Sequence, residues 1–406
     1  MIYLYLYNIK FKMNSKLIEE LNSFSKHPKW NKFPYLEIKR IEFNSDKSLI
    51  TFATNTGFRI YDSKTFKLLS SLDGNQEMIG PITKASVLYS SSLICFLGSD
   101  HNNYYKSNQV FFWNDIIKRT IGIVDFHERV FNFFLTQYMI FFSLWNKIYI
   151  FELISLKYIY KINRVDIEEN LISIQENYNS NKRIITLAYI PTLYNQENVI
   201  NLVSYWINDK FQVSHYIKRG ITTNFNNIKN ICLQGNEKII VVNDLGNKIH
   251  IYHINDNELL YCIYMGNHKL KVSNFSFDIK EKFMLCLCDM DEIDIFKLKN
   301  IDNEKYKCTC NNHPDEKIKI KRKNSSNSFL GGYFNRLFND STAPFIYDNI
   351  HQYADFYICT FDNIKKDEII LINNYGIAFR YKFNRIKEKE PLKLIKEEIL
   401  FDEDDY

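Results

Sequence analysis

Hydrophobic and polar residues alternate with a period of two in short runs that recur along the whole chain. Apolar residues occupy every second position, as in Ile249-His250-Ile251-Tyr252. This alternation is typical of β-strands, because neighbouring side chains of a strand point to opposite faces of the sheet. Seven runs share the pattern: 58–61, 110–113, 148–151, 199–203, 249–252, 293–296 and 377–381.

The spacing of these runs indicates a repeat architecture. Their last residues lie 52, 38, 52, 49, 44 and 85 residues apart. Strands that return about every 40–50 residues are typical of propeller blades, and a single four-stranded blade cannot bury both its faces alone. We therefore predict an all-β fold, a seven-bladed β-propeller, in which the doubled last interval contains a long insertion in blade 6.

The domain boundaries follow from the same pattern. The propeller is predicted to span residues 36–398, with the blade 6 insertion at 302–346. An N-terminal extension, 1–35, precedes it, and an acidic tail, 399–406, follows. Asn and Gly residues such as those in Asn55-Thr56-Gly57 mark turns between strands. Asp362, Asp367 and the tail are expected to be solvated charges.

The predicted insertion combines basic and apolar residues. Its basic run consists of Lys317, Lys319, Lys321, Arg322 and Lys323. The residues that follow would form one apolar stripe on a helix: Phe329, Leu330, Tyr333, Phe334, Leu337 and Phe338. This combination favours a membrane-inserting loop. The alternatives are a loop that packs back on the propeller and a disordered insert.

Composition and motifs narrow the classes of function. The chain has 406 residues, a net charge of +5 and 46% hydrophobic residues, so it has ample apolar material for a core, and nucleic-acid binding is not predicted. No apolar stretch is long enough for a membrane-spanning helix.

Catalytic and phosphate-loop motifs are absent from the sequence, so we expect neither an enzyme nor a cofactor. The spacing Cys308-x-Cys310-x-x-His313 lacks a fourth ligand, and no metal site is predicted. The eight cysteines are expected to be buried free thiols.

Several strings, taken in order, resemble a known family. They are residues 43–61, which begin Phe43-Asn44-Ser45-Asp46 and end Phe58-Arg59-Ile60-Tyr61, then Phe112-Trp113-Asn114, Lys147-Ile148-Tyr149-Ile150-Phe151 and Leu187-Ala188-Tyr189. Their order and spacing resemble the PROPPIN family. The resemblance implies a seven-bladed WD40-like propeller that binds phosphatidylinositol 3-phosphate and 3,5-bisphosphate and acts in autophagy. It covers residues 36–398.

The phosphoinositide motif of that family is degenerate here. The family's Phe-Arg-Arg-Gly aligns with Ile263-Tyr264-Met265-Gly266, which Asn267 follows. A family arginine in blade 5 aligns with His250, and a family histidine in blade 6 aligns with Asp294. Because each lost guanidinium removes a charged hydrogen-bond donor, we expect weakened head-group pockets.

Two neighbouring segments complete the list of phosphate-binding candidates. The basic residues just after the motif would partly compensate for the lost arginines, or else are ordinary solvated turn residues: His268, Lys269 and Lys271. The string Ile217-Lys218-Arg219-Gly220 resembles the motif but lies one blade too early, so it is not assigned to a pocket.

The resemblance implies a peripheral membrane effector of autophagosome formation or related endomembrane traffic. Such a protein would be a cytosolic monomer that associates with endomembranes or the pre-autophagosomal membrane. It would bind autophagy-related proteins through its blades, with blade 2 facing a lipid-transfer protein. The alternative is a divergent propeller scaffold that binds proteins and no lipid.

Overall fold

The computed structural model describes residues 37–298 and 356–401 with short breaks, together with residues 5–6, 9–10 and 317–321. The breaks are at 74–79, 101, 103, 164, 166–170, 180–181, 193–197, 209–211, 226, 236, 266–271, 289–291, 363–366, 374–375 and 384–391. Everything said below of the molecule refers to the described residues.

The first sheets are built from consecutive strands of the chain. Two short N-terminal strands come first: β1 (Tyr5–Leu6) and β2 (Ile9–Lys10). Blade 1 contains β3 (Ile38–Phe43), β4 (Leu49–Thr54), β5 (Gly57–Asp62) and β6 (Leu68–Asp73). Blade 2 contains β7 (Lys84–Val87), β8 (Leu93–Leu97), β9 (Gln109–Asn114) and β10 (Arg119–Asp125), and β2 pairs with the outer edge of β10. Blade 3 contains β11 (Val130–Leu135), β12 (Met139–Leu144), β13 (Lys147–Glu152) and β14 (Tyr158–Asn163).

The remaining sheets follow the same order. Blade 4 contains β15 (Ile172–Asn179), β16 (Lys182–Tyr189), β17 (Val199–Ile207) and β18 (Val213–Thr222). Blade 5 contains β19 (Ile228–Gln234), β20 (Lys238–Asn243), β21 (Lys248–His253) and β22 (Leu259–Tyr264). Blade 6 contains β23 (Val272–Phe277), β24 (Phe283–Cys288), β25 (Glu292–Lys297) and β26 (Lys317–Lys321). Blade 7 contains β27 (Phe356–Phe361), β28 (Glu368–Asn373), β29 (Ile377–Phe383) and β30 (Leu392–Ile399).

Seven antiparallel sheets with strands in sequence order make a seven-bladed β-propeller, as predicted. Each of the seven alternating runs found in the sequence falls in the third strand of a blade, from β5 in blade 1 to β29 in blade 7. By contact density the chain divides into two compact units. One comprises Met1–Asp244, Ile251–Leu259 and Leu400–Tyr406, and the other comprises Leu245–His250 and Leu260–Ile399.

The core of the first unit explains why the runs alternate. In β8, Ile94 and Phe96 pack in a cluster with blade 1, where they meet residues such as Phe58. The intervening Cys95 and Leu97 belong to a separate cluster with blade 3. Further clusters join blade 3 to blade 4 and blade 4 to β19 and β20 of blade 5. Blades 2, 3 and 4 therefore each bury one face against the preceding blade and the other against the following one.

The same hairpin turn connects the third and fourth strands in four blades. In each, a residue one or two positions before the fourth strand has a positive φ: Phe66, Lys118, Leu156 and Asn257. In blade 1 the N–H of Phe66 donates to the carbonyl of Asp62 at 2.8 Å, and in blade 5 the N–H of Asn257 donates to that of His253 at 3.1 Å. The repetition shows that the blades share local geometry although their sequences differ.

The inner strands of blades 1 to 3 are linked by a buried charged network. Lys84 of β7 lies 2.9 Å from the Glu42 carboxylate of β3 and donates a 2.9 Å hydrogen bond to Asn132 of β11. Arg40 Nε lies 2.6 Å from Glu42. Burial raises the pKa of Glu42, but the charges of Arg40 and Lys84 and their hydrogen bonds outweigh it, so the pKa lies below its ordinary value.

Two expectations about acidic residues are corrected. The predicted acidic tail, 399–406, begins at the end of β30, and its next residues, Leu400 and Phe401, are buried against blade 1. The Tyr61 hydroxyl donates to the carbonyl of Leu400, and the Phe401 ring packs edge-on against Phe52, with centroids 5.1 Å apart. In the sequence, Leu400 and Phe401 stand directly beside a run of acidic residues and cannot be separated from it. In the structure they are part of the buried core.

Asp362 is the second correction, because it is a buried ion-pair partner and not a solvated charge. Arg380 of β29 lies 2.6 Å from Asp362 and 2.8 Å from Glu368. The burial of Asp362 cannot be predicted from its neighbours in the sequence, because its partner Arg380 lies on a later strand, beyond a whole hairpin. The expectation of buried thiols holds for Cys95, Cys286 and Cys359, whereas Cys232 and Cys262 are only partly buried; none of these five described cysteines is in a disulfide.

Gly57 supplies a test of the blade 1 turn. It has φ +150°, and a Cβ on it would lie 1.7 Å from the carbonyl oxygen of Leu72. We expect Gly57→Ala to lower the free energy of unfolding by more than about 2 kcal/mol, because strained backbone adds to the clash. Urea unfolding measures the loss. Gly122→Ala is the matched control, since its Cβ would meet Phe112 at 3.8 Å, and it should change stability by about 1 kcal/mol or less. Equal effects would contradict the turn geometry.

Phe401 supplies a test of the C-terminal anchor. Removing this fully buried ring should lower the free energy of unfolding by about 3–5 kcal/mol, the usual range for Phe→Ala in a core. Phe131→Ala makes the same chemical change at an exposed position of β11 and should cost far less. Thermal and urea unfolding measure both variants. A loss no larger for Phe401→Ala than for Phe131→Ala would mean that the C-terminus does not stabilise blade 1.

Candidate functional site

The degenerate motif lies at the end of β22, the outer strand of blade 5. The N–H of Met265 donates to the carbonyl of Asn247 at 2.8 Å, which ties the motif to the start of the β21 hairpin. Ile263 and Met265 are both buried, and Met265 is 9% exposed. At the position of the second motif arginine the structure therefore has a buried thioether.

The remaining motif candidates are only partly described. Tyr264 is the last residue of β22. The other predicted phosphate contacts after the motif lie outside the described residues: Gly266, Asn267, His268, Lys269 and Lys271. Their contribution to a pocket stays a prediction.

His250, the other pocket candidate, is buried in β21 with 3% of its surface exposed. Burial, with a smaller contribution from the nearby charge of Lys248, lowers its pKa to about 4. The imidazole is therefore neutral at physiological pH. It supplies no positive charge where the resemblance implies an arginine, because a phosphate group needs a charged donor for strong binding.

The basic run of the insertion is split by β26. Lys317, Lys319 and Lys321 lie in this strand, where Lys319 stands opposite Asp294 and Lys321 opposite Glu292 of β25. The loop prediction is corrected for these three lysines. Their alternation with Ile318 and Ile320 has the period of a strand, which explains why they lie in β26 and not in a loop.

The rest of the predicted membrane loop lies outside the described residues. This applies to Arg322, Lys323, Phe329, Leu330, Tyr333, Phe334, Leu337 and Phe338. Cys308, Cys310 and His313 lie outside them as well. Within the described ranges, no three potential metal-ligating side chains form a group. No helix in those ranges has the length and hydrophobicity to cross a bilayer.

Sequence reasoning missed an exposed aromatic surface on blades 3 and 4. The side chains of Tyr160 in β14 and Tyr216 in β18 stack there, and the Lys218 ammonium lies over both rings. On the other side of β18, Arg219 donates to Asn255 at 2.5 Å. The string 217–220, set aside as a motif look-alike, thus sends its two basic side chains to different faces of blade 4.

Comparison with known proteins identifies the fold. No family model matches the chain. Kluyveromyces lactis Hsv2 superposes with a TM-score of 0.64 at 15% identity, over 90% of this chain and 100% of that chain. Hsv2 from Kluyveromyces marxianus gives 0.59 at 13% identity, with the same two coverages. KlAtg21, in its complex with the coiled coil of AgAtg16, gives 0.61 at 17% identity, over 89% of this chain and 99% of that chain.

The chain has the fold of the PROPPIN propellers. The resemblance noted in the sequence is thereby confirmed at the level of the fold, over almost the full length of both chains. Within this PROPPIN fold, the described residues at the two pocket positions are a buried Met265 and a neutral, buried His250. The architecture is kept while the charge that the family motif carries is absent from these positions.

The pH dependence of stability tests the state of His250. Its pKa is about 4 when folded, against about 6.5 when unfolded. Below about pH 6.5 the imidazole of His250 binds a proton in the unfolded chain but not in the folded one. The free energy of unfolding should therefore fall towards pH 4 by up to about 1.4 kcal/mol per pH unit. Urea unfolding at several pH values measures this fall.

His250→Asn provides the control for that measurement. It removes the titrating group, so its stability should depend less on pH between about 6.5 and 4. Carboxylates such as Glu42 titrate in both proteins, and their contribution cancels in the difference. Parallel pH profiles of the two proteins would mean that His250 is not held in its neutral form.

Proposed function

We propose that the protein is a non-catalytic propeller scaffold of the PROPPIN type that acts in autophagosome formation or related endomembrane traffic. The observation that carries the proposal is the full-length likeness to Hsv2 and Atg21 propellers. It would be a cytosolic monomer that associates peripherally with endomembranes or the pre-autophagosomal membrane.

The head-group pockets for phosphatidylinositol 3-phosphate and 3,5-bisphosphate are weak in this proposal. A hydrogen bond to a charged group contributes about 1.5–3 kcal/mol, and the loss of one such bond weakens binding roughly ten- to a hundredfold. Buried Met265 and neutral His250 each replace such a donor. Lipid recognition would then depend on His268, Lys269 and Lys271 alone.

Membrane contact would come mainly from the apolar stripe between β26 and β27. Each of its large side chains contributes up to about 1.5–3 kcal/mol when it leaves water. Arg322 and Lys323 would each add about 1 kcal/mol near an anionic surface. Together these terms suffice for reversible peripheral binding without a strong head-group pocket.

Protein partners would bind to the blades. KlAtg21 forms a complex with the coiled coil of AgAtg16, and we propose that this chain likewise binds autophagy-related proteins. The second candidate function, a scaffold that binds proteins and no lipid, is favoured by the uncharged state of the two described pocket positions.

Flotation with liposomes separates the two candidates. The membrane-binding proposal predicts that the full chain floats with anionic vesicles and that Phe334→Asp with Leu337→Asp abolishes flotation, because two carboxylates oppose insertion. Ile116→Asp with Ile154→Asp is the matched control, since both isoleucines are exposed on blades 2 and 3. This control should float like the wild type.

The lipid composition of the vesicles tests the pockets. Adding phosphatidylinositol 3-phosphate should raise flotation only slightly if the pockets are weak. A large increase would contradict the weak-pocket proposal. If the chain does not float with vesicles of any composition, the protein-binding scaffold remains as the function.

A further inference from the structure

The exposed aromatic surface of blades 3 and 4 is composed of two outer strands. Tyr160 of β14 is 40% exposed and Tyr216 of β18 is 51% exposed. Their rings stack with centroids 6.3 Å apart and an interplanar angle of 29°. Lys218 Nζ lies 5.0 Å from the centroid of Tyr160 and 5.5 Å from that of Tyr216. We call Tyr160, Tyr216 and Lys218 the tyrosine–lysine cluster.

A buried hydroxyl accompanies this cluster. Tyr216 stands opposite Tyr205 in the register of β17 and β18, and the two ring centroids are 6.1 Å apart. Tyr205 is 1% exposed, and its hydroxyl has no hydrogen-bond partner among the residues that the structure describes. Because this oxygen is buried, a partner's side chain cannot reach it, and Tyr205 contributes to the cluster by packing against Tyr216.

The hydroxyl groups of Tyr205 and Tyr189 beside the cluster remain protonated at neutral pH, because the pKa of each is raised. Burial raises the pKa of Tyr205, and the neighbouring phenols of Tyr189, Tyr160 and Tyr216 raise it further. Burial also raises the pKa of Tyr189, although a hydrogen bond with Asn201 and the charge of Lys218 oppose this shift. These shared effects mean that several phenols and one ammonium lie within electrostatic reach of one another.

The cluster has a positive charge but no anion. Among the ion pairs of the described residues, none involves Lys218. Its described contacts are the two aromatic rings, which leave the ammonium hydrogens available to an acceptor. An acceptor that carries a negative charge would therefore find an ammonium and phenol donors together.

We propose that the tyrosine–lysine cluster binds an acidic side chain of a protein partner. The carboxylate would accept a hydrogen bond from Lys218, and an adjacent apolar residue of the partner would pack on Tyr160 and Tyr216. Exposed tyrosines are typical of the residues that dominate protein interfaces. The proposal rests on the scaffold role proposed above and names one partner surface for it.

The chemistry of the cluster favours a carboxylate over a phosphate. Phosphate groups are best bound by several basic groups or by the fork of an arginine. Here a single ammonium lies between aromatic rings, and Arg219 on the same strand is directed to Asn255 on the other face. One negative charge beside an apolar group matches this arrangement.

Fluorine NMR of the full chain labelled with 3-fluorotyrosine tests the proposal. The probe is the synthetic peptide Gly-Ser-Glu-Leu-Glu-Phe-Glu-Ser-Gly, titrated to millimolar concentration, and Tyr→Phe variants assign the signals. We expect the signals of Tyr160, Tyr205 and Tyr216 to shift, and the shifts to shrink at high salt because the contact is ionic. The same peptide with Gln in place of Glu should leave them unchanged.

A pair of lysine variants provides the matched control. Lys218→Gln should weaken peptide binding about tenfold, the change expected when about 1.4 kcal/mol is lost. Lys161→Gln removes the same charge from β14, where Lys161 lies 5.6 Å from the ring of Tyr149, and it should change the affinity less than about twofold. Equal effects of the two substitutions would show general attraction to basic strands and would overturn the proposal.

Tyr205→Phe is a further control, because the buried hydroxyl is out of reach of a partner. This variant removes a buried group that has no described partner, so it should unfold at the same temperature as the wild type or higher. It should bind the acidic peptide with wild-type affinity. A several-fold loss of affinity would overturn the assignment of the contact to the exposed cluster.

Competition experiments separate the ligand classes and the two proposals. Displacement of the peptide by millimolar inorganic phosphate, or equal signal shifts with phosphatidylinositol 3-phosphate vesicles, would overturn the assignment to a protein partner. Absence of tyrosine shifts with any acidic peptide would also overturn it. Flotation with liposomes does not involve this cluster, so its outcome tests the membrane proposal separately.

Discussion

The burial of both faces of a sheet, seen in blades 2 to 4, is the constraint on which the structure depends. A blade such as β7–β10 has two apolar faces, and consecutive residues of β8 belong to different cores, with Phe96 packed towards blade 1 and Cys95 towards blade 3. Since a strand has only two faces, both are used by packing, and polar residues are confined to inner strands, turns and outer edges. The same constraint explains why the fold persists at 13–17% identity to Hsv2 and Atg21: any apolar residue of suitable volume satisfies it.

Because packing uses both faces of these sheets, side chains available for binding are restricted to other parts of a blade. The inner strands carry the Lys84–Glu42 pair, which is buried and therefore structural. Turns carry residues such as Gly57 that are needed for backbone geometry. Large exposed side chains lie in turns, as at Ile116 and Ile154, and on outer strands, where Tyr160 and Tyr216 are among them. A propeller of this kind therefore changes its binding properties by substitution on outer strands, without altering the cores between the blades.

Local patterns in the sequence predict the blades but not the contacts between distant strands. All seven alternating runs are third strands, because alternation is a local consequence of one strand between two cores. The burial of Asp362 depends on Arg380 in another strand, and Phe401 is buried by blade 1, so neither follows from neighbouring residues. The tyrosine–lysine cluster was missed for the same reason, since Tyr160 and Tyr216 belong to different blades. For the pocket, the sequence predicted the loss of the arginines, whereas the pKa of His250 depends on its burial.

The replacement of the motif arginines has a physical interpretation in this fold. A guanidinium at the position of Met265 would have to remain hydrated or paired, whereas the thioether packs beside Ile263 with no such requirement. His250 likewise stays neutral in its strand, so it needs no counter-charge. Both positions therefore hold a group that the sheet can bury without a counter-charge. Charged side chains are found where packing leaves them exposed, as with Lys218 beside the aromatic rings of the outer strands.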